Sequence, residues 1–188
     1  MLNFYGNPFM FNFMQFSMLQ PMSGLQNYYF NPMQNYNFYQ TPYMNSIFHN
    51  QNQTYNRAKG ERLVQNALKG LPQKPPKEPL CAKYVKTAVV NSGLGNYVYG
   101  NGEEAKYMFR NNPNFKEYTA KGKDLKHLPA GAVVVYDANE RVSDTNGNEK
   151  RIGKFGHVLF AKGDGTGISD RKENFIPVTD NAYVFIPV

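Results

Sequence analysis

Pro79-Leu80-Cys81-Ala82-Lys83-Tyr84-Val85-Lys86 decides how the rest of the chain is read, because it places the lone cysteine of the sequence in what reads as the first turn of a helix. Pro79 stands just ahead of the start, Cys81, Tyr84, Val85 and Ala88 fall on one face at i, i+3, i+4 and i+7, and Gly93 supplies the stop. A thiol in that position is chemically primed. The unpaired N–H groups and the positive end of the macrodipole at a helix N-terminus favour thiolate over thiol, and Lys83 and Lys86 push the same way. The competing reading is a buried cysteine acting as a small hydrophobe. What separates the two is whether the chain also offers a base.

Upstream of this stretch, Leu71-Pro72-Gln73-Lys74-Pro75-Pro76-Lys77-Glu78-Pro79 is a proline-rich, extended connector that cannot be helical. Before it, residues 56–68 read as a packing helix with Leu63, Val64, Ala67 and Leu68 on one side and Gly70 as its stop. Residues 1–56 contain no Asp, Glu, Lys or Arg and consist largely of Asn, Gln, Tyr, Phe and Met, as in Asn35-Tyr36-Asn37-Phe38-Tyr39-Gln40. That prion-like composition predicts a disordered tail able to self-associate through aromatic and amide contacts. The expected organisation is therefore a tail over 1–56 and one domain over 57–188.

All 21 basic and 14 acidic side chains fall in 57–188, so the net charge of +7 belongs to that domain. Its lysines and arginines are interspersed with acids rather than clustered, which reads as a solvated surface and not as a nucleic-acid footprint. A single cysteine forms no intramolecular disulfide and no Cys-x-x-Cys metal site. No apolar run reaches the roughly 18 residues of a membrane span. Residues 1–56 show no basic n-region, clean apolar h-region or small-residue cleavage site, so no standard signal peptide is read and no compartment is assigned.

Downstream, Gly93 to Gly102 reads as a loop, and Asn101 can cap a short helix over 102–110, with Glu103 and Glu104 in its first turn. From Leu128 the period changes. Pro129-Ala130-Gly131 is a turn and Ala132-Val133-Val134-Val135-Tyr136 a β-branched run of strand length. Residues 137–153 form a polar hairpin excursion, Gly156-His157-Val158-Leu159-Phe160-Ala161 a second strand, residues 168–170 a third, and Tyr183-Val184-Phe185-Ile186 a fourth. Helices first and an antiparallel meander after them predict an α+β fold, with the Cys81 helix laid on the sheet.

The base is then His157, at the start of a core strand after Gly156. A cysteine nucleophile needs such a neighbour to hold its proton, and a third group to orient the imidazole. Asp170, at the end of the adjacent strand, is the candidate for that role. Gly163-Asp164-Gly165-Thr166-Gly167 lacks the lysine of a phosphate-binding loop and reads as a hairpin turn. His127, beside Leu125 and Leu128, reads as a structural or surface histidine.

Cys81-Ala82-Lys83-Tyr84-Val85, then Leu128-Pro129-Ala130-Gly131-Ala132-Val133, then Gly156-His157-Val158-Leu159-Phe160 together resemble the CHAP and NlpC/P60 families of papain-like cysteine peptidases and amidases. The resemblance covers roughly 70–188. It implies a papain-like fold and hydrolysis of amide bonds in bacterial peptidoglycan, within the stem peptide or between the lactyl group and its first residue. It matches Cys81 to the nucleophile and His157 to the general base, and puts Asp170 where those families carry a third polar residue. Tyr84, the aromatic after the cysteine, and Asn174, as an additional amide, become the candidates for substrate binding. No metal or cofactor is required. The sequence departs from NlpC/P60 in having Leu80 before the nucleophile and a proline-rich upstream segment, which favours a CHAP-like or more divergent branch, while Ala132 in place of the common Asp after the turn glycine should affect the strand entry rather than the chemistry. The rival readings are an inactive papain-like scaffold in an assembly or adhesion protein, and a cysteine peptidase acting on protein. If the peptidoglycan reading is right, an extracytoplasmic or cell-wall location is expected.

Overall fold

The computed structural model describes residues 55–188, and the expectations for the tail fall outside them apart from Tyr55 and Asn56. Helix α1 (Arg57–Lys69) forms because Gly60, Leu63, Val64 and Ala67 make one buried face. It is capped at its start by Asn56 and stopped at Gly70. The proline-rich connector carries no helix or strand and delivers the chain to α2 (Cys81–Asn91). Helix α3 (Ala105–Arg110) starts later than the expected 102, after a turn closed by reciprocal bonds: Glu104 N donates to Asn101 Oδ1 at 3.0 Å, and Asn101 N to Glu104 Oε2 at 2.7 Å.

The strands are β1 (Phe115–Tyr118), β2 (Val133–Tyr136), β3 (Arg141–Ser143), β4 (Glu149–Arg151), β5 (His157–Ala161), β6 (Gly167–Ile168), β7 (Lys172–Glu173) and β8 (Tyr183–Pro187), with a 3₁₀ helix (Gly122–His127) between β1 and β2. The architecture is α+β. Six of the strands form one antiparallel sheet in the order β1-β8-β2-β5-β6-β7. The order corrects the expected meander: β8 returns to the middle of the sheet and pairs with both β1 and β2, in registers that set Phe115 against Pro187 and Val133 against Phe185.

Helices α1 and α2 cover one face of the sheet, where Leu63, Val64, Val85, Ala88 and Val89 join Val133, Val135, Val158, Phe160 and Phe185 in one core. The opposite face is not solvated. Leu125 and Leu128 in and beside the 3₁₀ helix, with Val142 of β3 and Ile152 and Ile176 from the loops, bury Val134, Tyr136, Leu159, Ala161, Val184 and Ile186. A sheet buried on both sides explains why β2 and β8 read as continuous apolar runs instead of alternating.

The 137–153 excursion holds a two-stranded ladder of its own, β3 with β4, which its polar sequence did not announce. Only Val142 of those two strands is buried, so backbone pairing, and not an apolar pattern, makes them strands. The 163–167 segment is a hairpin turn, as expected: Lys162 N donates to Thr166 O, and Asp164 Oδ1 accepts from Thr166 N at 3.0 Å.

Candidate active site

Cys81 is the first residue of α2 and is 6 % exposed, with Val85, Ala88 and Val89 of the same helix in the core behind it. The helix starts here because the proline-rich connector ends here. Leu80 at the N-cap has no side chain able to accept a hydrogen bond. A carboxylate from another part of the chain takes that place: Leu80 N donates to Asp170 Oδ2 at 2.7 Å. At the far end Ser92 caps the helix and Gly93 turns away with φ of +64°. Lys83 is exposed, whereas Lys86 is buried and its Nζ donates to Gly100 O at 2.9 Å. Burial holds the Lys86 ammonium below its usual range, against the opposing charges of Glu104 and Cys81.

His157 opens β5, opposite Tyr136 of β2, and its ring stacks on the Tyr136 ring with centroids 6.1 Å apart. Gly156 before it is required twice over. Its φ is +68°, and a Cβ there would lie 2.6 Å from both the Glu103 backbone nitrogen and Tyr136 O. The absence of a side chain lets the 102–103 segment close against the start of the strand that carries the imidazole.

His157 Nε2 lies 2.8 Å from Glu173 Oε1. The Cys81 side chain also lies close enough to the ring to interact with it. Burial disfavours the imidazolium, but the neighbouring Cys81 side chain, the bond to Glu173 and the Glu173 charge outweigh it and push the His157 pKa up to about 10. Burial likewise raises the Glu173 carboxyl, and the imidazole, Ser169 and the charge of Lys150 more than reverse this, leaving it below the usual carboxylate range. Cys81, His157 and Glu173 thus lie in series, with the imidazole hydrogen-bonded to the acid and interacting with the thiol.

The structure brings the predicted Cys81 and His157 together and places Asp170 elsewhere. Asp170 sits in the turn between β6 and β7, where it faces the start of α2 and not the imidazole. It is 1 % exposed and accepts from Leu80 N, from Ser169 Oγ at 3.1 Å and from Arg171 Nε at 3.0 Å. Burial opposes its charge, but the Arg171 guanidinium and the Leu80 N–H prevail and hold the carboxyl low. Ser169 Oγ is also 2.6 Å from Glu173 Oε1, so a single hydroxyl bridges the two acids. The acid on the imidazole, Glu173, escaped the sequence reading. Its signal was a third antiparallel partner after the 163–167 turn, β7, which sets Glu173 opposite Gly167 at the edge of the same sheet. Tyr84 is half-buried on α2, and Asn174 is exposed beside Glu173.

Among the described residues, no group of three or more His, Cys, Asp and Glu side chains is arranged to hold a metal ion. No helix among them is long and apolar enough to cross a membrane.

No protein-family model matches this chain, and no curated protein matches it. Among solved structures it is similar to a chain of the type VI native effector-immunity complex Tae3-Tai3 from Ralstonia pickettii, with 17 % identity and a TM-score of 0.49. That alignment covers 69 % of this chain and 98 % of the other.

Proposed function

We propose that the protein is a cysteine-dependent hydrolase of amide bonds in bacterial peptidoglycan, built on a papain-like scaffold of the NlpC/P60 and CHAP kind. The observation that carries this reading is the series from Cys81 at a helix N-terminus, through His157, to Glu173. A thiol, a base and an acid that orients the base are the parts a covalent amide hydrolase needs. In this reading Glu173 is the third residue, in place of Asp170.

The proposed steps follow from the arrangement. The Cys81 thiol gives its proton to His157, and its sulfur attacks the amide carbonyl carbon and forms a tetrahedral intermediate. The Cys81 N–H, in a first turn whose donors lack partners within the helix, faces the developing oxyanion. Such a donor is worth roughly 3 kcal/mol in the transition state. The imidazolium passes its proton to the amine nitrogen as the C–N bond breaks, which leaves a thioester on Cys81. His157 then takes a proton from water, whose oxygen displaces the sulfur and releases the carboxylic acid. Glu173 keeps the ring oriented and offsets its charge. Tyr84 and Asn174 are proposed as substrate contacts flanking the site.

The test is incubation of the full chain and its Cys81→Ala variant with purified peptidoglycan, with products identified by mass spectrometry. Fragments released by the parent alone are expected, and their masses name the bond cut. Cleavage of a protein substrate with no release from peptidoglycan would move the assignment to a protein peptidase. No cleavage of either by the folded protein would make the domain a scaffold.

A further inference from the structure

Arg171 follows the buried Asp170 and is held by it: Nε donates to Asp170 Oδ1 at 3.0 Å and Nη2 to Oδ2 at 3.4 Å. The same Oδ2 accepts from Leu80 N, the residue directly before the nucleophile. One carboxylate therefore fixes both the guanidinium and the start of α2, and Arg171 is close enough to the thiol for their charges to interact. The two partners differ sharply in exposure, 45 % for the Arg171 side chain against 1 % for Asp170. Two N–H groups of the five-donor fork point at Asp170, and the half-exposed remainder is left for a second acceptor. Lys86, a further cation that interacts with Cys81, is buried and already donates to Gly100 O. Glu173, the other acid near Arg171, has its Oε1 engaged by His157 and Ser169.

We propose that Arg171, oriented by Asp170, docks a free carboxylate of the substrate beside the amide that Cys81 attacks, so that the preferred substrate is an acidic peptide and not a neutral one. The inference rests on Cys81 being the nucleophile of the proposed hydrolase, and it names the substrate feature that hydrolase recognises. A guanidinium pre-set by one carboxylate loses little side-chain freedom on meeting another, and planar recognition of carboxylate is the chemistry in which Arg surpasses Lys.

The test reads the anion site without needing any hydrolysis. Cys81 of the full chain is alkylated by iodoacetate, an anion, and by iodoacetamide, its neutral counterpart; in both cases sulfur displaces iodide and forms a thioether. The ratio of the two rates cancels any change in the thiol itself. Arg171→Gln is expected to lower the iodoacetate-to-iodoacetamide ratio by about tenfold, and Arg171→Lys to restore part of it. An unchanged ratio in folded Arg171→Gln would overturn the proposal, and so would a thiol that neither reagent reaches. A second arm uses peptides hydrolysed by the parent, with the flanking carboxylate free or amidated. There Arg171→Gln should raise KM for the free acid only. A lowered alkylation ratio in a protein that cleaves no peptidoglycan would keep the anion site and discard the peptidoglycan reading.

Discussion

The two long helices begin in opposite ways. Helix α1 is capped by its own chain, since Asn56 Oδ1 accepts from Lys59 N at 3.0 Å, three residues on. Helix α2 begins at Leu80, which has nothing to cap with, and its carboxylate arrives from Asp170, ninety residues later. A helix start that needs only to be stable is satisfied locally. The start that carries the thiol is instead tied to the β6–β7 hairpin, and that hairpin also supplies the acid on His157. One turn, residues 169–173, thereby holds the helix of Cys81 at one end and the imidazole at the other, with Ser169 between the two acids.

The largest expected effect lies at the imidazole. Glu173→Gln keeps the shape of the side chain and removes the charge that stabilises the imidazolium, so turnover should fall by roughly 10²-fold to 10⁴-fold while the protein stays folded. The same variant has a pH signature. The folded His157 pKa is raised, so its contribution to stability is complete below about 6.5 and is lost as pH climbs through about 10. In Glu173→Gln that loss should be smaller and complete at lower pH, as urea unfolding measured across this range will show.

The remote cap comes next. Asp170→Ala leaves the Leu80 N–H without the carboxylate that caps it and Arg171 without its brace, at a cost of about 1–2 kcal/mol in denaturant unfolding. Turnover should fall as well, because the start of α2 is no longer tied to the turn that carries Glu173. A loss of stability with unchanged turnover would reduce Asp170 to a structural cap like that of α1. The smallest effect sharpens the contrast from the other side. Asn56→Ala should cost about 1 kcal/mol and leave kcat unchanged.

Local chemistry made part of this molecule legible in the linear chain. The apolar faces of α1 and α2 repeat at helical spacing, the Asn101 cap announces α3, and the runs in β2, β5 and β8 are apolar enough to be strands wherever they lie. Cys81 at a helix start and His157 after a glycine can each be picked out from a handful of neighbours, because the local residue pattern marks a helix start and a strand start.

What only the tertiary structure decided depends on pairing between distant segments. Strand β1, with exposed Lys116 and Glu117 at its centre, exists because β8 lies beside it, and β7 is two charged residues that become a strand by joining β6. The choice between Asp170 and Glu173 has the same origin. Both acids lie in one short hairpin, and strand register determines which of them faces the imidazole; a slip of one residue would send each side chain to the other side. Composition and periodicity fix the chemical character of each segment, whereas backbone hydrogen bonds between segments far apart in sequence fix which side chains meet.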